Sequence, residues 1–399
     1  MPENSDKKKL TIRRVIATVT MVLALAGSLV FMELFLCIPD SQALDQNRVL
    51  MLHKEPANTI DVLLIGSSAT YSGFSSAYAY EKFGFTSWPY AIGGGTCTMW
   101  KPALQDTLRT QRPKLVVVDV FGGGYERDMI ATRSSQLYLI MNSMPLSADK
   151  VRLAKEINRN VDNVSVASMV FPFIKCHSRV PINMLRLKER LEVERFGPSP
   201  LKGVETRTRT RNLAPVDAVS FTEESTPLDE ETERVVREFM EYCKSEDLSV
   251  LFVKYPTVLT QQDPDELLVN LKANRICEIA EEYGYPSLNM QKSFHEIGLK
   301  EREDYYNHGH TNVRGQKKVT EFLGSYIQNT MHVGPTELDD SVRAEWDESI
   351  DYYNALAELT EELIRQGKSE SIGESPALAS DLKRIIDGED VKTIADKYN

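Results

Sequence analysis

The 399-residue chain has few cysteines and no excess of basic residues, and both shortages exclude classes of function. Its five cysteines form no CxxC pair, so neither a zinc-ligand pattern nor the dense disulfide framework of a small secreted domain is present. The formal net charge is −11, so the chain lacks the basic footprint of a nucleic-acid-binding domain. We therefore expect no nucleic-acid partner, no resident metal and no cofactor.

The negative charge is concentrated at the C-terminus. Residues 335–399 contain 17 Asp or Glu and 7 Lys or Arg, a net charge of −10, which leaves −1 for the rest of the chain. Trp346, Tyr353, Leu356 and Leu363 recur there at helical spacing, and Gly367 follows. We predict an acidic helical appendage over 334–399, which packs on the main domain or meets a partner.

Long apolar runs are also scarce, with one exception near the N-terminus. Five basic residues precede Val15–Met32, an uncharged stretch of 18 residues, and Leu34–Ile38 continues it after Glu33. Such a run can cross a bilayer, and basic residues before it favour a cytoplasmic N-terminus. The sequence thus predicts a single-pass cell-membrane protein with its main domain outside. A cleaved signal peptide and a lipoprotein anchored at Cys37 are the alternatives.

The remaining pattern alternates short apolar runs with amphipathic stretches. This alternation favours an α/β three-layer sandwich around a mostly parallel five-stranded sheet. The predicted strands are Val62–Ile65, Trp88–Ala91, Leu115–Val120, Val250–Lys254 and Ser287–Asn289, and the predicted helices include about 75–83, 97–111, 229–246 and 265–283.

The predicted organisation has five parts. They are a basic cytoplasmic segment 1–14, an anchor 15–38, a linker 39–58, an α/β domain 59–333 and the appendage 334–399. An insertion at about 125–225 interrupts the α/β domain, with helices expected at Ser147–Asn160 and Ile182–Arg195. Its "TRTRTR" run is a solvated loop or edge strand, or a contact for an anionic polymer.

Two hydroxyls follow the first predicted strand in "DVLLIGSSATYSG", and ligands of parallel α/β sheets bind beyond the carboxyl ends of the strands. A serine nucleophile needs a base, and His310 stands between the last strand and a helix in "NHGHTNVRG". The alternatives are a plain turn at Ser67 and Ser68, a structural loop histidine, and a metal site at His308 and His310. A phosphate loop at "AIGGGT" is disfavoured, because no GK[ST] follows.

These two segments resemble the SGNH/GDSL hydrolase superfamily. The closest branch comprises membrane-anchored cell-envelope members, related to the alginate O-acetylation and teichoic-acid D-alanylation proteins. "LLIGSSATYSG" matches the family's first block with Ser68 as the nucleophile. "NHGHTNVRG" matches its last block with His310 as the base, followed by Asn312 and Gly315. The resemblance covers about residues 60–330.

The resemblance also implies the remaining site residues. Asn307 occupies the position where the family has the aspartate that orients the histidine, and Asp304 is the other candidate for that role. The oxyanion hole would use the Ser68 N–H and a glycine of 93–95, for which Gly94 and Gly95 are the candidates. The asparagine that the family carries after the third strand has no counterpart in "VFGGGYE".

What the resemblance implies is an extracytoplasmic serine esterase or O-acyltransferase. Its substrates would be acyl esters of cell-envelope glycans or polyol polymers, and a membrane-bound O-acyltransferase could supply the acyl group. The alternative is a non-catalytic envelope assembly or binding protein on a decayed SGNH scaffold, which Asn307 and the missing asparagine favour.

Overall fold

The computed structural model describes residues 3–32, 43–124, 134–144, 146–161, 164–179, 184, 200–368 and 376–398. The chain divides into two compact units. The first comprises residues 1–43 and 141–196, and the second comprises residues 44–140 and 197–399.

The helices and strands follow one another along the chain, with an α/β alternation in the second unit. In chain order they are α1 (Glu3–Phe31), α2 (Ala43–Leu52), β1 (Val62–Gly66), α3 (Ser68–Gly73), α4 (Ser76–Phe83), β2 (Ser87–Ala91), α5 (Trp100–Thr107), β3 (Leu115–Asp119), α6 (Ser134–Ser143), α7 (Ala148–Asn160), α8 (Val166–Val170), α9 (Phe173–Cys176), α10 (Glu230–Ser245), β4 (Val250–Lys254), α11 (Pro264–Glu282), β5 (Ser287–Asn289), β6 (Tyr305–Asn307), β7 (His310–Thr311), α12 (Val313–Asn329), α13 (Asp340–Arg365), α14 (Pro376–Ile386) and α15 (Val391–Ala395).

A five-stranded, all-parallel sheet forms the centre of the second unit, in the order β2-β1-β3-β4-β5. Every residue of β1, β2, β3 and β4 is buried, as expected for strands covered on both faces. The strand order reverses between β1 and β3, and the crevice at such a switch point is where ligands of these sheets bind. The predicted α/β class and the five-stranded sheet are confirmed, and the sheet is entirely parallel.

Apolar side chains cover both faces of the sheet. On one face, Leu64 and Val117 belong to a cluster that includes Val319, Leu323 and Ile327 of α12. On the other face, the ring of Phe252 lies 6.3 Å from that of Phe239 in α10. The Phe239 ring in turn lies 5.6 Å from that of Trp100 in α5. The continuous apolar strands are thus buried by amphipathic helices from both sides.

The element boundaries agree closely with the sequence pattern. All five predicted strands form within one residue of their predicted ends. The predicted helix at 97–111 divides into a 3₁₀ turn, Cys97–Met99, and α5. In the insertion, α7 matches the helix predicted at Ser147–Asn160 to within one residue, and the Ser147 side chain caps it. The helix expected at Ile182–Arg195 lies outside the described residues except for Met184.

The region predicted as a linker, 39–58, differs from that expectation. Its residues from 43 onward include α2, and Val49, Met51 and Leu52 are buried. Arg48 donates to the carbonyls of Ala91 and Gly203, at 2.9 and 2.6 Å. Apolar side chains and this buried guanidinium therefore pack residues 44–58 into the second unit.

The acidic tail also packs within the second unit. Tyr353 and Ala357 of α13 contact Ala77 and Tyr78 of α4 in one apolar cluster. A second cluster joins α13 to α14 and α15, so the predicted helical stripe is a buried face. Of the two roles left open for the tail, the structure shows packing on the main domain.

In the first unit, α1 is the one helix among the described residues that is long and apolar enough to span a membrane. The apolar window is Thr11–Phe31, with a mean hydropathy of 2.0 and no buried residues. Its length and composition suit a membrane anchor or a signal sequence.

Candidate active site

The turn after β1 is built around a buried carboxylate. β1 ends at Gly66, and α3 begins at Ser68. Asp119, the last residue of β3, accepts hydrogen bonds from the N–H of Ser67 at 3.3 Å and from its hydroxyl at 2.8 Å. It also accepts the Thr70 hydroxyl at 3.3 Å. A Cβ on Gly66 would lie 2.5 Å from the Asp119 Cβ, so the close approach requires glycine.

This arrangement assigns different roles to the two hydroxyls. Ser67 is buried, bound to Asp119, and caps α3 by accepting the N–H of Ala69. Ser68 lies one residue further along and points elsewhere, toward His310. Burial raises the pKa of Asp119, and the hydrogen bonds from Phe121, Ser67 and Thr70 oppose that rise. Ser67 is thus a structural turn residue, and Ser68 is the partly exposed hydroxyl that lines the cleft.

A two-stranded hairpin delivers the histidine. In the antiparallel pair β6–β7, Asn307 lies opposite His310. The hydroxyl of Thr311 and the side-chain amide of Gln316 both donate to the Ser72 carbonyl in α3, at 2.8 and 3.0 Å. These bonds hold the hairpin and the start of α12 against the helix that carries Ser68.

Ser68, His310 and Asn307 form one hydrogen-bonded chain. The His310 Nε2 lies 2.6 Å from Ser68 Oγ, and its Nδ1 lies 2.7 Å from Asn307 Oδ1. The Gly309 N–H also donates to Asn307 Oδ1, at 3.0 Å, so this atom must be the amide oxygen. The His310 Nδ1 must therefore carry a proton, which leaves the Nε2 of the neutral ring free to accept the Ser68 hydroxyl proton. This is the tautomer that a general base requires.

The surroundings of His310 favour its neutral form. Burial lowers the pKa of His310 to about 4, and the nearby positive charge of Arg207 adds to that effect. Arg207 pairs with Glu205 at 2.5 Å, and its guanidinium lies over the Tyr306 ring at 5.1 Å. At neutral pH the imidazole is thus a proton acceptor.

The pair opens onto a cleft of about 320 Å³ at the carboxyl edge of the sheet. Ser68, His310 and Gly94 line it together with Phe121 and Val258. Its rim also includes Thr257, Leu259, Asp263, Glu266 and His308. The cleft can admit a small acyl group with its carbonyl beside Ser68.

The oxyanion donors proposed from the sequence are only partly supported. Ser68 is the first residue of α3. Its N–H makes no hydrogen bond within the described part of the chain. Gly94, at φ +64°, lines the cleft, and Gln136 fixes the loop by donating to the Gly93 and Gly94 carbonyls at 3.2 and 2.6 Å. Gly95 does not fit, because its N–H donates to the Ile92 carbonyl at 2.8 Å.

Asp304 does not reach the histidine. Its Oδ2 accepts the Lys318 ammonium at 2.6 Å and the Lys300 N–H at 2.8 Å. The hairpin explains this, because it pairs position 307, not 304, with His310. His308 is exposed on the rim of the cleft. Within the described ranges, no cluster of three or more His, Cys, Asp or Glu residues could hold a metal.

Sequence reasoning missed two charged residues of the site. Asp119 had a readable signal, since it is an acidic residue that ends the otherwise apolar strand β3. Arg207 had none, since the "TRTRTR" run lies more than 100 positions from His310 and its proximity is a tertiary effect.

No protein-family model and no curated protein matches this chain. The chemistry of the site therefore rests on the geometry of Ser68, His310 and Asn307.

Proposed function

We propose that this protein is a membrane-anchored, extracytoplasmic serine esterase or O-acyltransferase with an SGNH-type α/β/α sandwich. The observation that carries the proposal is the Ser68–His310–Asn307 chain, with distances of 2.6 and 2.7 Å, at the edge of a cleft. A hydroxyl within hydrogen-bond reach of an oriented, neutral imidazole is the arrangement of an activated nucleophile. The strand order supports the sandwich, because it places Ser68 at the switch point beside β3.

The reaction proceeds in two stages. Ser68 Oγ attacks the acyl carbonyl carbon while its proton passes to His310 Nε2, and the Ser68 N–H with the Gly94 loop faces the developing oxyanion. His310 then protonates the leaving alkoxide, which leaves an ester on Ser68. Water or an acceptor hydroxyl then attacks that ester and gives its proton to His310. The bond between the acyl carbon and Ser68 Oγ breaks, His310 returns the proton to Oγ, and the acid or the new ester is released.

The proposed substrate class rests on the proposed membrane anchor. A domain held outside the membrane meets acyl esters on envelope glycans or polyol polymers. A sugar or polyol hydroxyl as the second nucleophile makes the reaction a transfer, and water makes it a hydrolysis. A membrane-bound O-acyltransferase is the partner that would supply the acyl group.

A non-catalytic assembly or binding protein is the second candidate. Two observations favour it. The described segment after β3, Val120–Gly124, offers no asparagine as an oxyanion donor, and Asn307 replaces the expected aspartate. Such a protein would keep the cleft for binding and lack turnover.

A fluorophosphonate probe separates the two candidates. It should label the full-length protein at Ser68, and Ser68→Ala should abolish the labelling. Ser67→Ala is the matched control, because it removes the neighbouring hydroxyl that binds Asp119. It should lower the melting temperature while the folded fraction is still labelled. Absence of labelling in the folded wild-type protein would support the binding protein instead.

A further inference from the structure

The first unit contains most of the exposed apolar surface. Among the described residues, every exposed large apolar side chain except Leu268 and Ile386 belongs to this unit. Many of them lie on α1, whose apolar window has no buried residue. The others lie between 146 and 184, and they are Leu146 at 64%, Phe171 at 49%, Ile174 at 53% and Met184 at 58% exposure.

Two of these side chains, Phe171 and Ile174, form what we call the apolar tip. The helix that precedes the tip, α8, is itself packed, because its Ser168, Met169 and Val170 are buried. The chain then turns, and the N–H of Ile174 donates to the Phe171 carbonyl at 3.0 Å. Phe171 and Ile174 therefore lie on one tight turn, and both side chains are exposed. Water is an unfavourable environment for large apolar side chains, so burial of the pair would be favourable.

The stretch of chain that contains the tip is basic. Residues 163–179 contain no Asp or Glu, whereas Lys175 and Arg179 are basic. This composition contrasts with the net charge of −11 for the whole chain. Exposed apolar side chains among basic residues are the combination by which peripheral segments bind anionic bilayers.

We propose that the Phe171–Ile174 tip inserts into the same bilayer that α1 spans and contacts anionic lipid headgroups. The bilayer is the favoured occupant because the tip and the lipid-length helix α1 belong to one compact unit, and because the basic, acid-free stretch complements anionic lipid. Interfacial segments of this kind enter about 5–10 Å into the boundary between headgroups and acyl chains. The proposal is independent of catalysis at Ser68.

The test uses full-length protein reconstituted into vesicles with anionic lipid, in which the acyl chains are brominated either near the headgroup or near the centre. Phe171→Trp and Ile174→Trp each introduce one reporter at the tip. Met21→Trp reports the middle of α1, and Arg152→Trp, at an exposed polar position on α7, is the matched negative control. The three native tryptophans are buried in the second unit, and wild-type protein supplies their background.

We expect the tip reporters to be quenched several-fold more than Arg152→Trp, and most strongly by bromine near the headgroup. Met21→Trp should be quenched most by bromine at the bilayer centre. Tip reporters that resemble Arg152→Trp while Met21→Trp is quenched would overturn the proposal. Tip reporters with blue-shifted but unquenched emission would overturn it as well, because a protein surface would then cover them. An unquenched Met21→Trp would remove α1 from the bilayer and the proposal with it.

Discussion

At the residue scale, two histidines stand in one short loop and only one contacts the nucleophile. His310 Nε2 lies 2.6 Å from Ser68 Oγ, whereas His308 is exposed on the rim of the cleft. A positioned general base contributes about 10²–10⁴ in rate. His310→Ala should therefore lower the rate of ester hydrolysis and of fluorophosphonate labelling by at least about 10².

His308→Ala is the matched control for this prediction, and its rate should stay close to that of the wild-type protein. Equal losses in the two variants would show that the assignment of the base is wrong. No loss in either variant would leave the binding protein as the better description.

Burial and Arg207 set the pH range of the same base, and Asn307 adds no charge to it. Asn307 orients His310 but carries no charge, and the pKa of His310 is lowered to about 4, chiefly by burial. The base is neutral above that pH, so kcat/KM should rise with pH through about 4 and be level at neutral pH.

Asn307→Asp places a carboxylate beside the imidazolium and should raise the pKa of His310. The acid limb of the kcat/KM profile should move to higher pH, and the plateau rate should stay equal or increase, because the charge stabilises the cation formed in the reaction. Asp304→Asn should leave the limb in place, since Asp304 binds Lys318 instead. An acid limb that shifts in Asp304→Asn but not in Asn307→Asp would contradict the hydrogen bond between Asn307 and His310.

At the element scale, a buried ion pair connects three segments of the second unit. Lys202 lies between Glu55, just beyond α2, and α13, with its ammonium 3.0 Å from Glu55 Oε1 and 4.9 Å from the centre of the Trp346 ring. Burial raises the pKa of Glu55, and the charge of Lys202 opposes that rise. Loss of the lysine would leave a buried carboxylate without its partner.

Lys202→Met should lower the free energy of unfolding by about 3–5 kcal/mol, the usual cost of breaking a buried pair. Urea unfolding of the full-length protein in detergent measures it. The comparison is Lys300→Met, which removes the exposed pair with Glu303 at 3.1 Å and should cost less than about 1 kcal/mol. Similar costs for the two variants would show that the buried pair does not connect these elements.

At the scale of the whole molecule, the proposed membrane anchor would determine which substrates the cleft meets. Lys7, Lys8, Lys9, Arg13 and Arg14 precede the apolar window, and basic residues are retained on the cytoplasmic side. Protease added to intact protoplasts should therefore digest the chain beyond residue 39, as followed by loss of a C-terminal tag. A cytoplasmic marker protein must survive the same treatment, and full protection of the tag would reverse the predicted orientation.

The sequence alone determined the features that depend on local pattern. Continuous apolar runs such as Leu115–Val120 must be buried on both faces, so the strands and the parallel sheet could be predicted. Ser68 and His310 could be proposed because each follows the end of a predicted element, and parallel strands bring such ends to one edge.

Only the tertiary structure decided which side chains and backbone groups bond to one another in space. The register of the β6–β7 hairpin selected Asn307 over Asp304 as the partner of His310, and the bond from Gly95 to Ile92 removed one oxyanion candidate. Burial and the proximity of Arg207 set the pKa of the base. These outcomes depend on hydrogen-bond geometry and distance in space, which residue types and their spacing along the chain do not specify.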